Sequence, residues 1–198
     1  MKFLALEDIE LWKLVAQGNQ EAFSHIYSTY SKNLYKYGLK FTQNVDLIED
    51  VIQDVYVHIW ELRESIFIQK SIKFYLFSSF RRELVKRNQA AQKLDHFDDF
   101  NSNLLWQASF EEVLLENQIS LESSNKISKA LDSLSGRQKE AIFLRYIQEL
   151  SYEEISLLMG IQVPSLYNLI FKGIKSMKDF LTSSNFTAKV IGLILLIS

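Results

Sequence analysis

The chain of 198 residues contains no cysteine, one proline and only six glycines. Without cysteine there is no disulfide and no thiolate metal site, a composition that suits a reducing cytoplasm. With so few helix breakers, an all-α fold is expected. Histidine is scarce as well: His25, His58 and His96 stand in separate segments without metal-ligand spacing. No glycine-rich phosphate loop and no Ser/His/Asp arrangement accompanies them, so no metal, no cofactor and no enzymatic activity is expected. No charged-then-apolar leader opens the sequence. The one long apolar run, Val190 to Ile197, falls far short of the roughly 20 residues that cross a bilayer. Three readings are open for it: a helix packed on one of the domains, a partner-binding peptide, or a peripheral membrane anchor. The remainder, 47% hydrophobic and 23% charged, describes a globular protein with room for two small domains.

The stretch from Ser151 to Lys178 is the most informative part of the chain. Ser151 and Glu154 form a capping-box pattern, so a helix is expected to begin there. Ile155, Leu158 and Met159 give it an apolar stripe, and Gly160 ends it in the left-handed conformation. A three-residue turn, Ile161-Gln162-Val163, leads to Pro164, which is harmless only in a first helical turn and is expected at its first position. In the second helix Leu166, Ile170, Gly173, Ile174, Met177 and Leu181 form the buried stripe, with Ser165, Asn168, Lys172 and Lys175 opposite. Two helices joined in this way are a helix-turn-helix, whose second helix enters the major groove of DNA.

Net charge is −2, but the charges are segregated. Between Lys70 and Lys93 seven basic residues face the lone acid Glu83. From Leu94 to Ser124 there is no lysine or arginine, while Asp95, Asp98, Asp99, Glu111, Glu112, Glu116 and Glu122 supply seven acids. This inversion divides the chain into an N-terminal domain (1–92), an acidic linker (93–124), a C-terminal helix-turn-helix domain (125–182) and the apolar tail (183–198).

In the N-terminal domain Ile9, Trp12 and Val15 begin a first apolar stripe, and Asn19 is positioned to cap a long second helix. Phe23, Ile26, Tyr27, Tyr30, Leu34, Tyr37 and Phe41 are its expected core positions. A third helix, from about Asp46 to Glu61, carries Ile48, Val51, Ile52, Val55, Ile59 and Leu62 inside, with Glu49, Asp50, Gln53, Asp54 and Glu61 as an acidic outer ridge. In a fourth helix, near Ser71, Phe74, Tyr75, Phe77 and Phe80 alternate with cations. Rings in such a helix either pack in a core or stack on unpaired bases along a cationic track; periodicity favours the core for Phe77 and Phe80.

EAFSHIYSTYSKNLYKYGLKFT and IEDVIQDVYVHIWELRESI, then SIKFYLFSSFRRELVKR, then ALDSLSGRQKEAIFLRYIQELSYEEISLLMGIQVPSLYNLIFKGIKSMKDFL together resemble, in this order and spacing, an extracytoplasmic-function (ECF) sigma factor of the sigma-70 family. The resemblance implies two small helical domains, the second of the winged-helix-like, sigma region 4 type. It implies binding of core RNA polymerase by Glu49, Asp50, Gln53 and Asp54, with Trp60 at a packing position. It implies contact with melted minus-ten DNA by Lys73, Arg81, Arg82, Lys86 and Arg87, and with duplex minus-35 DNA by Ser165, Tyr167, Asn168, Phe171, Lys172 and Lys175. The linker would thread toward the polymerase active-site cleft and RNA exit path. An anti-sigma factor, often membrane-anchored, would regulate the chain; no small-molecule substrate is implied.

The sequence departs from that pattern in places. Glu83 interrupts the basic helix, and Leu169 and Phe171 stand where many relatives carry arginine or histidine, so the recognition helix is less cationic than usual. Two other assignments of the same helices remain open: a polymerase-binding helical adaptor, and a LuxR-type regulator, which would need a dimer and a palindromic site.

Overall fold

The computed structural model describes residue 3 and residues 6–68, 71–91 and 129–183. Lys70, Lys93, the acidic linker and the apolar tail beyond residue 183 lie outside the described residues. Two compact units divide the chain, Met1–Asp95 and His96–Ser198. Helix is the only regular structure among the described residues, and no β wing accompanies the second unit there.

Four helices build the first unit: α1 (Asp8–Ala16), α2 (Gln20–Gly38), α3 (Val45–Glu61) and α4 (Ile72–Ala91). Short polar residues set their starts. Asn19 accepts a hydrogen bond from the Ala22 amide at 2.9 Å, and Asn44 does the same for Leu47 at 3.0 Å. Ser71 caps α4 through the Phe74 amide at 2.9 Å, while the Asp8 carboxylate accepts from the Ile72 amide at 2.7 Å. Trp12 Nε1 donates to the Ile66 carbonyl at 3.0 Å, tying α1 to the connection between α3 and α4. These contacts satisfy helix-end amides that would otherwise lack partners.

The core of this unit is largely aliphatic and aromatic. Ile26, Leu34 and Tyr37 of α2 meet Ile48, Val51 and Val55 of α3 and Leu76, Phe77, Phe80 and Leu84 of α4, all buried. Tyr37 packs its ring 5.2 Å from Phe77 and 6.3 Å from Phe80, so the two phenylalanines of the basic helix belong to the core. Gly38 of α2 leaves no room for a side chain between α3 and α4; a Cβ there would stand 2.7 Å from Ile48 Cγ2 and 2.8 Å from Phe80 Cζ. Three expected core positions lie outside. Leu11 takes the buried place on α1 in company with Trp12 and Val15, leaving Ile9 exposed. Tyr27 stands at the rim of the α2–α3 contact, and Leu62 follows the last helical residue, so helical phase no longer turns it inward.

In the second unit residues 129–132 are helical, followed by α5 (Gly136–Ile142), a π-helical turn (Phe143–Ile147), α6 (Tyr152–Met159) and α7 (Val163–Ser183). A capping box begins α5: Ser135 Oγ accepts from the Gln138 amide and Gln138 Oε1 accepts from the Ser135 amide. Ala130, Leu131, Leu134, Ile142, Met177 and Leu181 form one core cluster, with Tyr146 and Ile174 against it. Gly173 allows α7 to lie close on α5, where a Cβ would stand only 2.9 Å from Ile142 Cδ1. No single helix among the described residues is long and apolar enough to cross a membrane.

Candidate nucleic-acid and partner interfaces

The junction of α6 and α7 has the geometry of a helix-turn-helix. Ser151 Oγ accepts from the Glu154 amide at 3.1 Å and Glu154 Oε2 accepts from the Ser151 amide at 2.9 Å, closing the expected capping box. Gly160 sits at φ 65°, ψ 39°, the left-handed conformation that ends α6. The Ile161 amide then donates to the Ser156 carbonyl at 3.1 Å, and Ser156 Oγ donates to the Ile161 carbonyl. The chain turns through 98° into α7, within the range of helix-turn-helix motifs. Here α7 begins at Val163, so Pro164 is its second residue rather than its first. The N–H that proline lacks is one of the four without an intrahelical acceptor at any helix start, so no helical hydrogen bond is lost by the shift.

On α7, Leu166, Ile170, Gly173, Met177 and Leu181 are buried and Ile174 is half-buried. Ser165, Tyr167, Asn168, Phe171, Lys172 and Lys175 are all exposed on the opposite side. Tyr167, 51% exposed, stacks on Tyr152 of α6 with centroids 4.0 Å apart and planes 15° apart. The Arg145 guanidinium lies over the Tyr152 ring at 4.9 Å and donates to the Leu150 carbonyl at 3.0 Å. This ladder joins the π-helical turn, α6 and α7, and the sequence reading missed it. The signal was faint: Tyr152 and Tyr167 are 15 positions apart, and only the 98° turn brings them together.

On the first unit Glu49, Asp50, Gln53 and Asp54 are exposed along the outer ridge of α3. The ridge borders two clefts. Glu49 and Gln53 line one of about 510 Å³ with Tyr27, Lys32 and Tyr35 of α2. Asp54 lines the other, about 470 Å³, with His58, Glu61, Tyr75, Arg82 and Arg87 among its walls. Trp60, half-buried, packs on Phe23 at 5.0 Å.

The cations of α4 are partly neutralised within the unit. Arg87 bonds Asp54 at 2.6 Å and Glu83 at 2.7 Å, and Lys86 meets Glu83 at 3.6 Å. The Arg87 guanidinium is held above its ordinary value by its bond to Glu83 and then by that to Asp54; the same Arg87 bond holds the Glu83 carboxyl below its own. Glu83, an interruption in the sequence, is therefore the acid that gathers Lys86 and Arg87. Arg82 and Lys86 are exposed, Lys73 and Arg81 half-buried, with Arg81 lying 5.9 Å from the Phe41 ring centroid. Two residues expected in different interfaces, Asp54 and Arg87, are thus brought into one ion pair. Among the described residues no cluster of three or more His, Cys, Asp or Glu is arranged to hold a metal.

Comparison with known proteins places this architecture. The family description "Sigma-70, region 4" matches residues 124–177, the segment containing the helix-turn-helix. The chain is 26% identical over 173 residues to the ECF RNA polymerase sigma factor SigW of Bacillus subtilis, a match covering 84% of this chain and 92% of SigW. It is 24% identical over 158 residues to SigM of the same organism, covering 77% and 91% of the two chains. Among solved structures, CnrH in complex with the cytosolic domain of CnrY aligns with a TM-score of 0.57 at 18% identity over 89% of this chain and 97% of that one. The sigma factor RpoE in complex with the anti-sigma factor NepR from Bartonella quintana aligns with a TM-score of 0.54 at 18% identity, covering 81% and 96%. The curated matches span most of the chain and the region 4 match falls on the helix-turn-helix unit, so the chain is similar to ECF sigma factors of the sigma-70 family along most of its length.

Proposed function

We propose that the chain binds core RNA polymerase and directs promoter-specific initiation of transcription, acting in the cytoplasm and performing no covalent chemistry itself. The observation that carries this reading is the helix-turn-helix of residues 151–183, with a polar, lysine-bearing face on α7, inside a chain that resembles ECF sigma factors across both units. In this reading α7 enters the major groove of minus-35 DNA. Ser165 and Asn168 face base edges, and Lys172 and Lys175 face phosphates. The α4 segment, with Lys73, Arg81, Arg82, Lys86 and Arg87, receives minus-ten DNA. Strand opening would follow from holding flipped bases, each extrusion costing a few kcal/mol that binding must offset.

The α3 ridge of Glu49, Asp50, Gln53 and Asp54 docks on a basic surface of core polymerase, where complementary charge orients encounter. An anti-sigma factor, the class of partner seen with RpoE, would compete for the chain. The four-part division, with 1–92 for polymerase and minus-ten contacts, 93–124 as linker, 125–182 for minus-35 contacts and 183–198 as tail, belongs to the same proposal.

Reconstituted transcription tests it: the full chain with bacterial core polymerase on randomised promoters, beside an Asp50→Ala/Gln53→Ala variant. Asp54 is left intact because its loss would also break the ion pair with Arg87. The expected result is a set of start sites sharing a two-block motif, strongly reduced in the variant. Core binding without any start site would favour the adaptor instead, and sequence-specific DNA binding without core binding would favour a polymerase-independent regulator.

A further inference from the structure

The groove-facing side of α7 carries two large rings among its polar groups. Tyr167 and Phe171 are four residues apart, and their exposures are 51% and 67%. Phe171 follows Asn168 by three positions and precedes Lys175 by four, so it shares their side of the helix. All of Ser165, Asn168, Lys172 and Lys175 around it are exposed. A ring left to solvent in the middle of a face of exposed polar and cationic neighbours is not buried by the unit's own core, which lies on the opposite side. The lysines fix the sign of whatever covers it as negative. A phosphate-lined major groove satisfies that charge, and it offers one apolar group to a ring: the C5-methyl of thymine.

The geometry of the Tyr167 ring supports the same occupant. Its stack on Tyr152, backed by the Arg145 guanidinium, covers one ring face and fixes how far Tyr167 projects. A ring held in this way loses little freedom on binding, which favours a contact made at a set depth. Building on the proposed minus-35 role, we infer that Tyr167 and Phe171 form an apolar strip that selects thymine at adjacent positions of the minus-35 element by contact with its methyl groups. Specificity would then come mainly from shape and burial, with Ser165 and Asn168 supplying the hydrogen bonds. This accounts for a recognition helix with rings at positions where arginine–guanine pairing could have been used.

The test exploits deoxyuridine, which keeps every pairing and hydrogen-bonding group of thymine and lacks only the methyl. Holoenzyme assembled from the full chain and core polymerase first selects duplexes from a randomised library. One selected duplex is then remade with deoxyuridine for each thymine of the minus-35 block, and the two compete for holoenzyme. Each contacted methyl should be worth about four-fold in affinity, the factor carried by one buried methylene-sized group. In a Phe171→Ala/Tyr167→Ala variant the two duplexes should bind equally. The contrast within the wild-type chain involves no mutation, so a folding defect in the variant cannot mimic it. Equal binding of both duplexes by the wild-type holoenzyme would overturn the inference while leaving the sigma-factor reading intact, and would assign the rings to a protein partner or a second copy. Failure of holoenzyme to select any shared duplex would instead overturn the reading beneath it, and this inference with it.

Discussion

At the scale of single residues, the acid that interrupts the basic helix has a structural role. Glu83 gathers Arg87 and Lys86, and its carboxyl is held below its ordinary value chiefly by the Arg87 hydrogen bond. A depressed carboxyl contributes stability that is present above the unfolded value, near pH 4.3, and lost as pH falls through the lower folded value. Because these side chains are partly exposed, solvent screening keeps the contribution small. Glu83→Gln should cost about 0.5–1 kcal/mol at pH 7 in urea melts, and the gap from the parent should close as pH falls through the lowered folded value of the carboxyl. A gap that persists unchanged in acid would assign the loss to packing instead. Gly160 makes a second case. Nothing lies within 4 Å of the Cβ it lacks, so Gly160→Ala meets no clash and tests backbone conformation alone. At φ 65° the cost should be about 1–2 kcal/mol, measurable as a lower denaturation midpoint. The sequence disclosed Gly160 because a glycine after an apolar helical stripe has few other uses. It did not disclose the Arg87–Asp54 pair, whose members are 33 positions apart.

At the scale of elements, helix starts were legible wherever a short polar side chain preceded an apolar period. Asn19 and Ser151 were read correctly as caps, while Asn44, Ser71 and the Ser135–Gln138 box use the same chemistry and went unread. Periodicity assigned Phe77 and Phe80 to the core against the attraction of a base-stacking role, and both are fully buried. It failed for Ile9 in the first turn of α1, where Leu11 and Trp12 take the buried face, for Tyr27 at the rim of the α2–α3 contact, and for Leu62, which follows the last residue of α3. The close contact of α2, α3 and α4 at Gly38 was invisible to it. Gly38→Ala would press a methyl into Ile48 and Phe80, both locked in the core, and should destabilise the protein by about 1–3 kcal/mol in thermal melts. An unchanged melt would mean that the three helices can spread without loss of packing.

At the scale of the whole molecule, charge is distributed by region even though the total is only −2. In the proposed docking of α7 on DNA, its exposed lysines Lys172 and Lys175, with Lys178 one turn beyond, would neutralise few phosphates. Affinity of the isolated full chain for a minus-35 duplex should therefore be weak, with a slope of log K against log salt no steeper than about −3, each neutralised phosphate contributing about −0.9. Lys172→Ala should lower that slope by about one, and a slope near −6 or beyond would require cations from elsewhere in the chain. Such weak grip is consistent with a chain that meets promoters only as part of a larger assembly.

The sequence alone determined the all-helical class and the positions of α6 and α7, because each depends on local signals: caps, breakers, and apolar period within one helix. Which face of α7 is exposed followed from the same period. The tertiary structure alone decided that Asp54 and Arg87 neutralise one another, that the α3 ridge borders two clefts, and that Tyr152 stacks on Tyr167 beneath Arg145. Each of these joins residues on different helices, and their meeting depends on how helices pack and turn, which a one-dimensional period does not encode.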